Sequence, residues 1–230
     1  MSYNDEELNN LPYKLALKYD ERKYCQYYFS LLKTKHIIFF TFFNDNDYNS
    51  KIIKIDFFLF NFSLFFTINT LFFNDDTMHQ IYEDKGTFNF IYQLPQILFS
   101  SLISVGISII LKILAFSQTQ ILKLKRNRKT KDLDKKSMNL QKILKIKFIL
   151  YFILSFIFLL VFWYYISMFC AIYVNTQIHL IKDTLISFAL SLVYPFFINL
   201  IPGIFRIPSL SNPGGERNYL YIMSKILQLI

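Results

Sequence analysis

The chain has 230 residues, 53% of them apolar and only 18% charged, with a mean hydropathy of +0.31. That composition excludes an ordinary soluble domain, and with 5 Gly, 6 Pro and 2 Cys it also excludes collagen-like, proline-rich and disulfide-framed chains. The net charge of +9, from 25 Lys/Arg against 16 Asp/Glu, is distributed unevenly and so carries information on topology.

Residues 1–51 mix charges with aromatics. From Leu11 the apolar positions Leu15, Tyr19, Tyr24, Tyr27, Tyr28, Leu31 and Leu32 recur near helical spacing with basic residues between them. This predicts either an amphipathic, interfacial helix with its basic face towards anionic lipid, or a cytosolic helix packed on the rest of the protein. The apolar run 37–43 is too short to span. With NDNDYN after it, it reads as a dipping segment that ends in a turn. No signal peptide is expected, because residues 1–10 are acidic and polar and no short apolar run with a cleavage site follows.

The first span is expected at 55–73. Asp56, Ser63, Thr67 and Thr70 gather within about 60° of one another on a helix and form a polar stripe. The stripe reads as a hydrogen-bonded helix seam or as a polar path through the membrane. An acidic loop, 74–89, leads to the second span at 90–111. There Ser100, Ser104 and Ser108 recur every four residues, the small-residue spacing that lets two helices approach closely. The segment 117–147 is strongly basic, with Lys123, Lys125, Arg126, Arg128 and Lys129 at its head, and is expected to meet anionic lipid headgroups. Leu133, Leu140 and Leu144 suggest that part of it is helical.

The third span, 148–174, has no charged residue and as a helix would reach about 40 Å, enough to cross a ~30 Å hydrocarbon layer. A short connection, 175–183, precedes the fourth span at 184–205, which Pro195 and Pro202-Gly203 are expected to kink. The tail, 206–230, reads as a cytosolic loop with a short apolar helix at its end.

Four spans put both termini on one side. The segments on that side hold seven, eleven and three Lys/Arg, whereas the two opposite loops hold one each, Lys85 and Lys182. The positive-inside rule then places both termini and the 117–147 loop in the cytosol. The predicted organisation is a cytosolic or interfacial region at 1–51, a four-span domain at 52–205 and the tail.

The opposite loops hold Asp75, Asp76, His79, Glu83, Asp84, His179 and Asp183, which read either as a solvated acidic surface or as a cation-collecting cluster of carboxylate and imidazole ligands. No cofactor, resident metal, nucleic acid or catalytic constellation is expected. The stretches LPYKLALKYDERKYCQYYFSLLKTKH, FFNDDTMHQIYEDKGTFNFIYQLPQ, FCAIYVNTQIHLIKDTLISF and YPFFINLIPGIFRIPSL together resemble a multi-pass module of large uncharacterised protist membrane proteins. The resemblance implies a C-terminal membrane region, in some cases preceded by long extracellular domains, and implies no activity or ligand.

The sequence therefore predicts an all-α integral membrane four-helix bundle with an N-terminal interfacial helix. Its expected role is a non-enzymatic membrane anchor or assembly subunit, with lipid and a protein partner or further copies as its contacts. The alternative is a channel or transporter subunit whose path follows Asp56, Ser63, Thr67 and Thr70.

Overall fold

The computed structural model describes residues 3–73, 75–83, 90–126, 133–211 and 217–228. Among these residues the chain is all-helical, with no strand. Four helical stretches are long and apolar enough to cross a membrane: Lys51–Leu71, Leu94–Ala115, Leu133–Ile172 and Val174–Leu210. This is the build of an integral membrane protein. The chain divides into two compact units, one of residues 1–51 with 192–230 and one of residues 52–191.

The first unit contains α1 (Asp5–Asn9), α2 (Tyr13–Tyr19) and α3 (Tyr24–Lys35), followed by a π-helical turn at Phe39–Phe43. The apolar pattern that starts at Leu11 is thus carried by two helices after α1, not by one continuous helix. Pro12, extended at ψ 151°, caps the start of α2, and Asp20 leaves the helical region at its end with ψ 87°. Tyr27, Leu31 and Leu32 on α3 turn inward and are buried. The same unit takes the last two turns of α9 (Gln177–Ile198), together with α10 (Ile201–Leu210) and α11 (Asn218–Leu227).

The join between α9 and α10 is where the prolines act. Pro195 and Pro202 have no N–H to offer the carbonyls one turn back, and the Leu200 N–H turns to the Phe197 carbonyl at 3.2 Å. Side chains from α3 and the residue after it bond backbone oxygens around this join. The Tyr24 hydroxyl donates to the Leu200 carbonyl at 2.8 Å and the Tyr28 hydroxyl to the Phe196 carbonyl at 3.2 Å. One step further on, His36 Nε2 reaches the Leu192 carbonyl at 2.9 Å, with its ring 4.7 Å from that of Phe196. Tyr24 and Tyr28 are one turn apart, as are Leu200 and Phe196, so the two strips run antiparallel in fixed register.

The second unit is arranged around α4 (Lys51–Leu71). Half of its most apolar window is buried, against 28% for α6 (Phe90–Ala115) and 17% for α8 (Leu133–Ile172), so α4 is the central helix and the others surround it. Ile53, Phe57, Phe60, Leu64 and Ile68 of α4 pack with Leu111 and Ala115 of α6 and with Tyr151 and Phe162 of α8. On another side Phe188 of α9 lies 5.1 Å from the Phe62 ring and 5.5 Å from that of Phe65. The short α5 (Asp75–Glu83) follows α4, and α7 (Gln118–Arg126) follows α6. Within the basic segment, α8 starts at Leu133 and runs for 40 residues, about 60 Å, roughly twice the hydrocarbon thickness. Lys147 holds its root by donating to the Phe116 carbonyl at 2.9 Å, beyond the end of α6.

Gly203 lies under the Tyr24 ring, so close that a Cβ there would stand 2.7 Å from a ring carbon, whereas a Cβ on Gly106 of α6 would meet nothing within 4 Å. The Tyr24 ring is also tied through its hydroxyl and has little freedom to retreat. Gly203→Ala is expected to destabilise the protein by about 1–3 kcal/mol. Gly106→Ala is expected to be neutral or stabilising by up to about 1 kcal/mol. Melting of both variants in mild detergent measures the contrast.

Candidate functional site

A polar side chain on an apolar helix loses water on entering a bilayer and needs a partner inside the protein. On α4 Asp56, Asn61 and Asn69 reach neighbouring helices. Asp56 Oδ2 accepts from the Tyr151 hydroxyl at 2.6 Å, with Ser155 Oγ at 3.5 Å, and so binds α8. Asn61 Oδ1 accepts from Ser108 Oγ of α6, while the Asn61 amide donates back to the Phe57 carbonyl at 2.6 Å.

Asn69 joins three helices. Its Oδ1 accepts from Gln96 Nε2 at 3.2 Å and Ser100 Oγ at 3.1 Å on α6, and its amide donates to Thr184 Oγ1 on α9 at 3.2 Å. Asn69, Ser100 and Thr184 are each 0% exposed. Asn61 meets Ser108 and Asn69 meets Ser100, eight residues apart on each helix in opposite directions, so the two bonds fix the register of α6 on α4. Ser104, midway between the two serines, and Ser187 on α9 have buried hydroxyls without a partner among the described residues.

Of the residues expected on the polar stripe, Asp56 bonds to α8, while the hydroxyls of Thr67 and Thr70 turn back on α4 itself. Thr67 donates to the Ser63 carbonyl at 2.9 Å and Thr70 to the Phe66 carbonyl at 2.8 Å. Asn61 and Asn69, polar residues of the first span on the other side of the helix from that stripe, were given no partner by the sequence reading. The matching eight-residue spacing of Asn61/Asn69 and Ser100/Ser108 is the signal that would have found them.

The other concentration of polar groups lies in the first unit, around Arg206. This side chain, 0% exposed, donates to Asp20 Oδ2 from Nε at 3.0 Å and from Nη2 at 2.7 Å. Nη2 also reaches the Leu8 carbonyl at 2.7 Å and Nη1 the Asn9 carbonyl at 3.4 Å. The guanidinium carbon stands 5.0 Å from the Tyr27 ring centre and 4.9 Å from that of Tyr221, within cation–π range of both. Arg22 grips the other side of the Asp20 carboxylate, with Nε to Oδ1 at 2.7 Å and Nη2 to Oδ2 at 2.9 Å. Tyr221 donates to the Leu11 carbonyl at 2.6 Å, and Gln228 bonds the Tyr27 hydroxyl.

Burial works to raise the Asp20 pKa, but hydrogen bonds and charge from Arg22 and then Arg206 outweigh it and hold the carboxyl below its ordinary value. Burial pushes the Tyr27 and Tyr221 hydroxyls up. The sequence reading had left Arg206 in a loop-like tail, without a role.

The acidic residues of the opposite loops do not converge. His79 and Glu83 form an exposed pair at 3.1 Å on α5, Asp76 is exposed, His179 is half-buried and Asp183 is buried in α9. Among the described residues no three His, Cys, Asp or Glu side chains are grouped to hold a metal. The Asp75 side chain and Asp84 lie outside the described residues. On α7 Lys123 is exposed and Lys125 half-buried; the Arg126 side chain, Arg128 and Lys129 also lie outside the description. Comparison with protein-family models, curated proteins and solved structures gives no match.

Replacing Asn69 with Leu removes the shared acceptor and donor of α4, α6 and α9 and strands Gln96, Ser100 and Thr184. The expected cost is about 1–2 kcal/mol, read as a lower melting point in detergent. Arg206→Met removes the side-chain donors to the Leu8 and Asn9 carbonyls and breaks a buried pair with Asp20, at an expected cost of about 3–5 kcal/mol. Because the folded Asp20 carboxyl titrates below its unfolded value, its contribution is complete above about pH 4 and is lost as pH falls through the folded value. Melting points measured on acidification should show this loss in the unaltered protein and a flatter profile in Asp20→Asn.

Proposed function

We propose that the protein is a non-enzymatic membrane-embedded scaffold, an anchor or assembly subunit that crosses the bilayer four times. The observation that carries this reading is how the strongly polar side chains of α4 are engaged. Asp56, Asn61 and Asn69 are each bonded to a neighbouring helix, as in a structural seam, where a water-lined path would leave them hydrated. The exposed surfaces of α6 and of α8 from residue 148 onward are almost uniformly apolar, with Leu102, Ile110, Phe156 and Leu160 among them, as suits helices set in lipid.

Both termini are read as cytosolic. Support comes from the shared folding of residues 1–51 and 192–230 in one unit, together with the concentration of Lys and Arg in the segments assigned to that side. The basic head of the 117–147 segment and the exposed Lys135, Lys142 and Lys145 on the long start of α8 are suited to anionic headgroups or an acidic protein surface.

Vesicles containing the purified protein are expected to pass no ions under sodium or potassium gradients, and Asp56→Ala to change nothing. A cation flux that disappears in Asp56→Ala would establish the channel reading instead. A single cysteine at Lys142, in a chain with Cys25→Ser and Cys170→Ala, should react with an impermeant maleimide only after cells are permeabilised. Reaction on intact cells would reverse the orientation.

A further inference from the structure

In the first unit α10 and α11 turn polar groups inward and apolar side chains outward. Along α10 the inward positions are Pro202, Gly203, Arg206 and Ser209, with Arg206 and Ser209 at 0% exposure, while Ile204 is 58% exposed. On α11 the inward positions are Tyr221, Ser224 and Gln228, each engaged in a hydrogen bond. The outward positions are Tyr219, Ile222, Met223 and Ile226, all exposed. These four sit at i, i+3, i+4 and i+7, an apolar stripe about 100° wide with no charge on it. A soluble helical hairpin has the opposite arrangement, greasy inside and charged outside.

This apolar surface is continuous with the preceding helix. Val193, Tyr194 and Phe197 on the last turns of α9 are exposed, and Ile201 and Ile204 carry the same stripe on to α10. The exposed charges of the unit lie elsewhere: on Lys14, Lys18, Glu21, Lys23, Lys33 and Lys35 of the α1–α3 segment, on Asp45 and Lys51 after it, and at Arg217 before α11. Because α1–α3 supply the partners of the polar faces of α10 and α11, the apolar faces point away from them.

We infer that α10 and α11 form a lipid-embedded hairpin, with their outer faces against the acyl chains of the bilayer and α1–α3 on the aqueous side. Residues 206–230 are then a membrane-inserted element, not a tail free in the cytosol. Each helix has 10 residues, about 15 Å, so the hairpin dips into one leaflet or lies along it and does not cross. Arg206 explains how such a hairpin tolerates a cation: the guanidinium never meets lipid, being enclosed by Asp20, two carbonyls and two aromatic rings. Lys225, 5.8 Å from the Tyr221 ring centre at the edge of the apolar stripe, is placed to extend its ammonium towards headgroups.

The inference rests on the reading that α4, α6, α8 and α9 cross a bilayer, and the test separates the two. Nitroxide labels are placed on single cysteines at Ile204, Ile222, Ile226, Lys33 and Phe156 in the full chain with Cys25→Ser and Cys170→Ala. The protein is reconstituted in vesicles of phosphatidylcholine and phosphatidylserine. Spin-label collisions with oxygen, which favours lipid, are compared with those of a water-soluble nickel chelate.

Labels at 204, 222 and 226 should match the one at 156, oxygen dominating, while the label at 33 collides chiefly with the chelate. Chelate collisions at 204, 222 and 226 with oxygen still dominant at 156 would sink the hairpin and leave the four crossings intact. Chelate collisions at 156 as well would sink both. Labels at 222 and 226 that neither reagent reaches would mean that protein, not lipid, covers α11, and would also overturn the inference.

Discussion

In hydrocarbon a hydrogen-bonding group has no water to fall back on, and every polar atom taken into it must be answered by the protein itself. On α4 Asp56, Asn61 and Asn69 are each answered by a neighbouring helix, and α4 is the helix the others surround. Packing alone would leave α6 free to slide, since one row of aliphatic side chains fits another in several registers. Ser100 and Ser108 remove that freedom: small enough to admit α4 closely, they also donate to Asn69 and Asn61 and select one alignment. Asn69 then does for α9 what it does for α6, and the same register brings Phe188 onto Phe65. Each bond is worth only about 0.6 kcal/mol on average in such settings. Their effect is less on the depth of the folded state than on which of several close packings is adopted.

The first unit obeys the same constraint with a full charge. Burying an arginine is tolerable only when its donors are met and its charge is balanced. Arg206 has an anion in Asp20, carbonyls from Leu8 and Asn9, and the Tyr27 and Tyr221 rings within cation–π range. All of these but Tyr221 come from the opposite end of the chain, so the cost of burying the arginine is offset only once residues 1–51 have folded onto 192–230. The proline-broken join adds a second tie, because the Leu200, Phe196 and Leu192 carbonyls around it bond the Tyr24 and Tyr28 hydroxyls and the His36 ring. Both ties are made of hydrogen bonds between the two ends of the chain, which neither half of the unit can form alone.

Hydropathy alone located four apolar stretches, because a run such as 148–174 has no other physical interpretation. The serine repeat on the second of them correctly announced a close approach, as Ser100, Ser104 and Ser108 are all buried in the structure. Helical spacing proved a poorer guide to partners. It grouped Asp56 with Ser63, Thr67 and Thr70, but a periodic stripe shows which residues share a face, not whether a hydroxyl looks across to a neighbour or back to its own carbonyl. The Arg206 cluster was illegible for a different reason. Its members lie almost two hundred residues apart, and a Pro- and Gly-containing tail after a span reads as loop when each segment is judged alone. The 1–51 region misled at Pro12 and Asp20, where local breaks interrupt an apolar pattern that continues across them.

The distribution of surface constrains what a scaffold of this design can recognise. α8 shows lipid a face of bulky side chains, Phe156, Ile157, Leu160, Val161, Trp163 and Tyr164, all exposed. In a bilayer such a face gains nothing from simply meeting another apolar helix, since acyl chains solvate it equally well. Close-packing small residues would change that, but the buried serines of α6 are already committed to α4. In the scaffold reading, selectivity for a partner falls to α7 and the first turns of α8, where exposed lysines stand. A charged helix projecting beyond the headgroups can distinguish acidic from neutral surfaces at distances of about a Debye length, roughly 8–10 Å. In the scaffold reading the membrane helices provide position and a fixed register, and recognition belongs to the basic extension that α8 carries out of the bilayer.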